Sequence, residues 1–278
     1  MADMNVRLPD YSVLMSVYAG ENAEFFRQSV ESMLRQSLPT NDFVLVCDGE
    51  LTEELDEAIA EFERDNECFH VYRMEQKSGT GACANYGIEK CRNELIVKMD
   101  SDDIALPDRC MRSISVMAKH PEIDMLGAYI EEFDSESGKE LSVKKTPIHN
   151  SEIHKYSKRR NPFNNQTLVY KKSLAQRVGG YSTIERCEDY EFVVNMLRAG
   201  AYGVNIGRVL VRYRVTEGNY NRRRNLANTK AFIAVRWRIF RSGYSSLPDL
   251  IVPCALQLFI FVMPTKLTGF IYKKLLRG

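Results

Sequence analysis

The 278-residue sequence contains no Cys-x-x-Cys pair, and its seven cysteines, an odd number, are scattered from Cys47 to Cys254. Several sit in apolar runs, where a free thiol behaves as a small hydrophobe. Its four histidines are equally dispersed; His149 and His154 lie five apart, off one helical face, which argues against zinc. No low-complexity or collagen-like tract is present, and 10% aromatic residues with 27% charged residues exclude a disordered chain. Charge of either sign is nearly absent in sum: the net is +1, which gives no sign of a nucleic-acid binder. Met1–Asp10 is polar, carries Pro9 and lacks a secretory apolar core, so a cytosolic body is expected. The longest apolar stretch, Leu250–Met263, has 14 positions. As a helix it would reach roughly 21 Å, short of a hydrocarbon core of ~30 Å.

The small net charge conceals an asymmetry. Residues 205–278 carry 14 Lys and Arg against two acids, Glu217 and Asp249, whereas residues 1–204 carry 24 against 35. An acidic body with a basic C-terminal quarter predicts that the tail meets something anionic.

Apolar runs and helical stripes alternate along the first half. Residues 12–18, 43–47, 69–74, 95–99 and 123–133 read as strands. Between them, Phe26, Val30, Met33 and Leu34 mark one helical face, Thr52 opens an acidic helix, Gly79 and Gly81 precede a third, and Pro107 stands at the first turn of a fourth. The alternation predicts an α/β fold with a mostly parallel, Rossmann-like central sheet and helices on both faces. In the second half a polar helix is expected over 150–160, a short strand over 167–170 and an amphipathic helix over 188–199. Extended strands over 202–215 are expected to leave the core.

Ligands of parallel α/β sheets bind beyond the carboxyl ends of the strands. Three such ends carry polar chemistry: Ser16-Val17-Tyr18, Asp48-Gly49 and Asp100-Ser101-Asp102-Asp103. The last is read either as a turn with a helix cap or as a metal site. Alternating Asp100 and Asp102 can chelate one hard cation, Mn2+ or Mg2+, that bridges to phosphate. Asp48 could bond a base or ribose, or serve as a turn residue. Gly79-Thr80-Gly81 could cradle phosphate or simply start a tightly packed helix, and it lacks the Lys-Ser/Thr of a P-loop. Glu188-Asp189 either complements a helix dipole or supplies a general base.

The order Ser16-Val17-Tyr18, Cys47-Asp48-Gly49, GTGACANYG (79–87), DSDD (100–103) with LPDR (106–109), then EDYEF (188–192) resembles a family 2 glycosyltransferase of the GT-A fold over about residues 11–216. It resembles most the bacterial O-antigen, capsule and exopolysaccharide branch with its amylovoran-type enzymes. The resemblance implies that Ser16, Tyr18 and Asp48 contact the nucleotide, joined by Gly81 and Asn85. It further implies that Asp100 and Asp102 hold Mn2+ or Mg2+ against the diphosphate, and that Asp189, beside Glu188, is the catalytic base. Departures are also visible. Only one acid stands at Cys47-Asp48, Asn165 occupies a position where relatives often show His, no His follows Arg214-Val215, and no QxxRW motif marks a processive synthase.

The implied reaction is an inverting transfer from a nucleotide diphosphate sugar, with UDP-galactose or UDP-glucose first among donors. The acceptor is a hydroxyl of a lipid-linked, undecaprenyl-diphosphate glycan. A sugar-nucleotide pyrophosphorylase would need an N-terminal glycine-rich loop with a basic residue. A phosphatase with an Asp nucleophile would carry its DxD after the first strand. A non-catalytic nucleotide-sugar-binding scaffold would not need Glu188-Asp189. The expected organisation is a GT-A catalytic domain over 1–216 and a basic, amphipathic helical extension over 217–278. That extension is read either as packed on the domain or as lying at an anionic membrane surface, which would place the protein in the cytoplasm, peripheral to the inner face of the membrane.

Overall fold

The computed structural model describes residues 8–184, 186–216 and 226–262. Its central strand, β1 (Tyr11–Tyr18), is covered on both sides, which is why it reads as a continuous apolar run. Alternate side chains feed two cores. Tyr11, Val13, Met15 and Val17 face one cluster with Phe26 and Leu55, while Leu14 faces the other with Val44, Ile96 and Phe192.

The chain then alternates as expected. Helix α1 (Ala23–Leu34) starts at Asn22, whose side chain accepts the N–H groups of Glu24 and Phe25. Strand β2 (Asp42–Asp48) leads to α2 (Glu53–Asp65), capped by Thr52, and then to β3 (Phe69–Arg73). Helix α3 (Thr80–Lys90) precedes β4 (Leu95–Met99) and the two-residue β5 (Ile104–Ala105). Helix α4 (Arg109–Lys119) begins two residues beyond Pro107. Strand β6 (Met125–Asp134) is followed by β7 (Glu140–Lys144) and α5 (Asn150–Ser157). A 3₁₀ turn (Asn165–Thr167), β8 (Val169–Lys171), α6 (Lys172–Arg177), α7 (Glu188–Arg198) and β9 (Gly203–Val215) complete the α/β body.

The strand order is β3-β2-β1-β4-β8-β6-β9-β5, with β7 on β6. The β3-β2-β1-β4 half is parallel, as is β6 with β9. The pairings of β8 with β4 and β6, of β5 with β9 and of β7 with β6 are antiparallel. The sheet is therefore mixed rather than mostly parallel. The inserted β8 has only three residues, too few to show a direction in the apolar pattern.

Nor does β9 leave the core. It pairs with β6 from Met125 to Asp134 and buries Leu210 and Val211. Its arginines disguise it. Arg212 bonds Glu131 at 2.7 Å and stacks over Phe133, and the Arg214 guanidinium lies 4.0 Å from the centre of the Phe25 ring.

Two further helices follow, α8 (Leu226–Arg241) and α9 (Leu247–Val262). Val235 and Ile239 of α8 pack on Tyr190 and Val194 of α7. Buried Arg236 donates to the carbonyls of Lys158 and Arg159 and stacks over Tyr190. Asp249 bonds Arg159 at 2.6 Å. On α9, Ile251, Val252, Leu256, Leu258 and Phe259 are each at least 43% exposed. No helix among the described residues is long and apolar enough to cross a membrane. The basic segment after Pro264 lies outside the described residues.

Candidate active site

The carboxyl ends of β1 and β2 and the start of α3 open into a cleft of about 300 Å³ lined by Ser16, Tyr18, Asp48, Lys77, Gly81 and Glu188. Tyr18 and Asp48 stand side by side in the β1–β2 register. The Asp48 carboxylate accepts the Ser78 N–H at 2.6 Å and the Gly79 N–H at 3.1 Å, so it fastens the loop that enters α3. Gly49 makes that possible. Its φ is +78°, and a Cβ there would meet the Lys77 nitrogen at 2.9 Å.

The glycine-rich start of α3 serves packing as well as the cleft. A Cβ on Gly81 would stand 2.3 Å from the Ser182 carbonyl oxygen. Asn85, expected to contact nucleotide, is turned elsewhere. Its Nδ2 donates to the Tyr181 carbonyl at 2.8 Å and its Oδ1 accepts the Tyr181 N–H at 2.7 Å. The amide is committed to this peptide, and Asn85 is not among the residues that line the cleft.

Beyond β4 the acidic loop is held from beneath. The Ser29 hydroxyl donates to the Asp100 carbonyl, and Ser101 donates to Glu21, each at 2.8 Å. Burial, with the charges of Glu21 and Asp100, pushes the Asp102 carboxyl up to about 7. Asp103 is fully buried; it accepts the Arg214 N–H on Oδ1, while Oδ2 has no hydrogen-bond partner among the described residues. Burial raises its carboxyl too, reinforced by Asp102 and Asp100. Arg214 donates to the Asp102 carbonyl at 2.7 Å and to Gln28.

Among the described residues, no group of three or more His, Cys, Asp or Glu is arranged to hold a metal ion. Asp100 and Asp102 nevertheless fit a cation of the Mg2+ or Mn2+ kind. Such ions take one or two carboxylates and fill the remaining positions with water and substrate phosphate. Burial first, and then the charges of Glu21 and Asp100, lift Asp102, and a bound cation would offset these effects.

Opposite this loop, α7 starts abruptly. Arg186 and Cys187 both have positive φ, +73° and +60°, an unfavourable conformation for side chains with a Cβ. The turn delivers Glu188 and Asp189 to the cleft end of α7. Burial and the Asp189 charge push the Glu188 carboxyl up to about 7, and its Oε2 has no hydrogen-bond partner among the described residues. Burial also raises Asp189, against the opposing effect of backbone hydrogen bonding and of Asn161, whose Nδ2 donates to Asp189 Oδ2 at 3.0 Å. Both acids also suit a helix N-terminus electrostatically.

Lys98, Asn161, Arg214 and Glu21 belong to this constellation and were absent from the sequence-based set. A lone lysine inside Leu-Ile-Val-Lys-Met was the one signal available for Lys98.

Residues 12–181 match the model described as Glycosyl transferase family 2. The UDP-Gal:alpha-D-GlcNAc-diphosphoundecaprenol beta-1,3-galactosyltransferase of Escherichia coli is 32% identical over 269 residues, 97% of either chain. The amylovoran biosynthesis glycosyltransferase AmsE of Erwinia amylovora is 32% identical over 273 residues, 96% of this chain and 100% of that one. Among solved structures, S. aureus TarS 1-349 in complex with UDP-GlcNAc superposes with a TM-score of 0.67 at 16% identity, covering 95% of this chain and 76% of that one. The mannosyltransferase PcManGT from Pyrobaculum calidifontis, in complex with GDP-Man and Mn2+, gives 0.66 at 14%, covering 92% and 71%. At those identities the solved structures speak for the fold, which is GT-A-like.

Proposed function

The chain belongs to glycosyl transferase family 2, and on that premise we propose an inverting, metal-dependent hexosyl transfer in bacterial surface polysaccharide synthesis. The donor is a UDP-hexose, UDP-galactose or UDP-glucose, and the acceptor is a hydroxyl of an undecaprenyl-diphosphate-linked glycan. The E. coli relative, named for UDP-Gal and a diphosphoundecaprenol acceptor, supports both choices. The observation that carries the reading is the nearness of two sets of carboxylates: the charge of Asp100, which shares the β4 loop with Asp102, reaches both Glu188 and Asp189 at the start of α7, and Glu188 lines the cleft.

Ser16, Tyr18 and Asp48 line the cleft and are assigned to the nucleoside in this reading, with Gly81 at the α3 start beside them. Asn85 contributes by holding the peptide at Tyr181. A cation held by Asp100 and Asp102 would neutralise the departing diphosphate. Asp189, oriented by Asn161, accepts the proton of the acceptor hydroxyl. The hydroxyl oxygen attacks C1 as the C1–O bond to the diphosphate breaks, and configuration inverts. Glu188 flanks the base, and burial, with the Asp189 charge, keeps its own proton affinity high.

The 217–278 extension supplies the membrane contact in this reading. An apolar face exposed along α9, within a basic C-terminal quarter, supports placement at the inner, anionic face of the membrane. The deciding experiment offers a panel of nucleotide sugars with Mn2+ and measures nucleoside diphosphate release with and without undecaprenyl-diphosphate-linked GlcNAc. Acceptor-dependent release from a UDP-hexose is expected. Binding without release under every pairing would make the protein a scaffold.

A further inference from the structure

Lys98 is a cation to which the proposed reaction assigns no part. It is the fourth residue of β4, otherwise Leu-Ile-Val-Met, and is 3% exposed. Side chains alternate along β4, so Lys98 leaves the sheet on the face of Ile96, not that of Val97 and Met99. In the register it stands beside Leu14, two residues before Ser16. A buried ammonium needs a partner. Its Nζ lies 2.9 Å from Asp100 Oδ1, and the Lys98 side chain is 4% exposed against 31% for Asp100. The pair therefore has a closed end and an open end, with Asp100 reaching outward.

Two further contacts fix the arrangement. Asn165 approaches the same Oδ1 at 3.5 Å. Buried Arg109 donates to the Lys98 carbonyl, tying the strand end on which the lysine stands. Among the described residues Asp100 Oδ2 receives no hydrogen bond, so one oxygen is anchored and one remains available. The Lys98 charge also reaches Glu188 and favours its ionised form.

We infer that Lys98 is a positioning residue. Its buried ammonium anchors Oδ1 of Asp100 and thereby presents Oδ2 to the divalent cation that accompanies the donor diphosphate. An anchored carboxylate pays less conformational entropy on binding a cation than one free to rotate. The ammonium repels a second cation at Asp100 in any case, so positioning has to outweigh that repulsion, and loss rather than gain of cation affinity on removing the charge is its signature.

This inference rests on the reading of Asp100 and Asp102 as metal carboxylates, so the test separates the two. Binding of Mn2+ in the presence of UDP is followed by electron paramagnetic resonance of the free ion, in the full-length chain. Asp100→Asn tests the underlying reading and is expected to lose binding. Lys98→Met keeps the apolar stem and removes the charge, and Lys98→Gln is the second variant should the first fail to fold. Thermal unfolding confirms folded protein in each case.

The expected loss of Mn2+ affinity in Lys98→Met is about tenfold or more, the range typical of residues that hold a metal ligand in place. In the double variant Lys98→Met/Asp100→Asn the loss should not exceed that of Asp100→Asn alone, since Lys98 acts through Asp100. If Asp100→Asn binds Mn2+ and UDP like the wild type, the metal reading itself fails. If Asp100→Asn loses binding while folded Lys98→Met retains or improves it, the positioning role is overturned and the metal reading stands. Additive losses would likewise overturn action through Asp100.

Discussion

Asn85 and Tyr181 are joined by two hydrogen bonds between one side-chain amide and one backbone residue, at 2.8 and 2.7 Å across 96 positions of sequence. The pairing binds α3 to the segment that leads into α7. It is the reason that the glycine-rich helix start and the Glu188-Asp189 turn face the same cleft. Gly180, at φ +70°, completes it, because a Cβ there would fall 2.1 Å from Asn85 Oδ1.

Asn85→Ala should therefore act on stability before it acts on the nucleotide. Two buried backbone groups of Tyr181 lose their partners, a loss of about 1–3 kcal/mol. Denaturant unfolding monitors this directly. Unchanged stability with weakened UDP binding would return Asn85 to the nucleotide.

The two acids at the start of α7 should separate by substitution. Asp189→Asn keeps the shape and the Asn161 neighbour but accepts no proton. Its kcat should fall by ~10²-fold or more with donor binding little changed. Glu188→Gln should be the milder variant in kcat. The reverse ranking would make Glu188, whose Oε2 lacks a hydrogen-bond partner among the described residues and which lines the cleft, the base.

A pH-dependent stability follows from the same pair. The Glu188 carboxyl titrates at about 7 in the fold, above its ordinary value, so the folded state holds its proton more tightly than the unfolded chain. Its contribution to stability is thus complete below the ordinary carboxylate range and is lost as pH rises toward about 7. Glu188→Gln should flatten the stability profile over that interval. An unaltered profile in urea titrations between these limits would contradict the assignment.

Replacing Asp100 or Asp102 with Ala should abolish transfer, and chelation by EDTA should do the same to the wild type. Full turnover of the Asp102→Ala variant, measured as UDP release, would remove the metal from the reaction.

On α9, Ile251→Glu with Phe259→Glu places charges at positions 53% and 60% exposed. Such positions tolerate charge in the fold, so the melting temperature should stay close to that of the wild type. Flotation with anionic vesicles should fall in the double variant. Equal flotation of both proteins would locate the membrane contact elsewhere.

The parallel half of the sheet was legible because β1, β2 and β4 are apolar runs that stop at or just before Gly or Asp, and α1 and α2 each carry a stripe and a capping side chain. What escaped the sequence were residues whose partners lie far along the chain. β9 looked like an exposed ribbon because its arginines are paired with Glu131 and stacked on Phe25 and Phe133, none of them near in sequence. β8 was placed within two residues, but its antiparallel insertion depends on where the returning chain finds an open edge. The acids of the β4 loop and of the α7 start were visible as motifs. Lys98 was not, since a lysine in an apolar strand declares a role only once its neighbour across space is known. Asn85 was visible as a motif, but its target was not.

Helix α7 meets two neighbours of different kinds. One end presents Glu188 and Asp189, and its flank holds Tyr190, Glu191 and Val194 against Val235, Arg238 and Ile239 of α8. Trimming the chain behind β9 to obtain a better-behaved catalytic fragment would strip that flank. Tyr190 and Val194 would be wetted, Glu191 would lose its cation, and the helix carrying the acids would be supported on fewer sides. The practical lesson concerns protein production. Solubility of the full-length chain is better sought by substitutions on the outer face of α9 than by shortening it, because a shortened chain with poor turnover would report a loosened helix rather than a missing membrane contact.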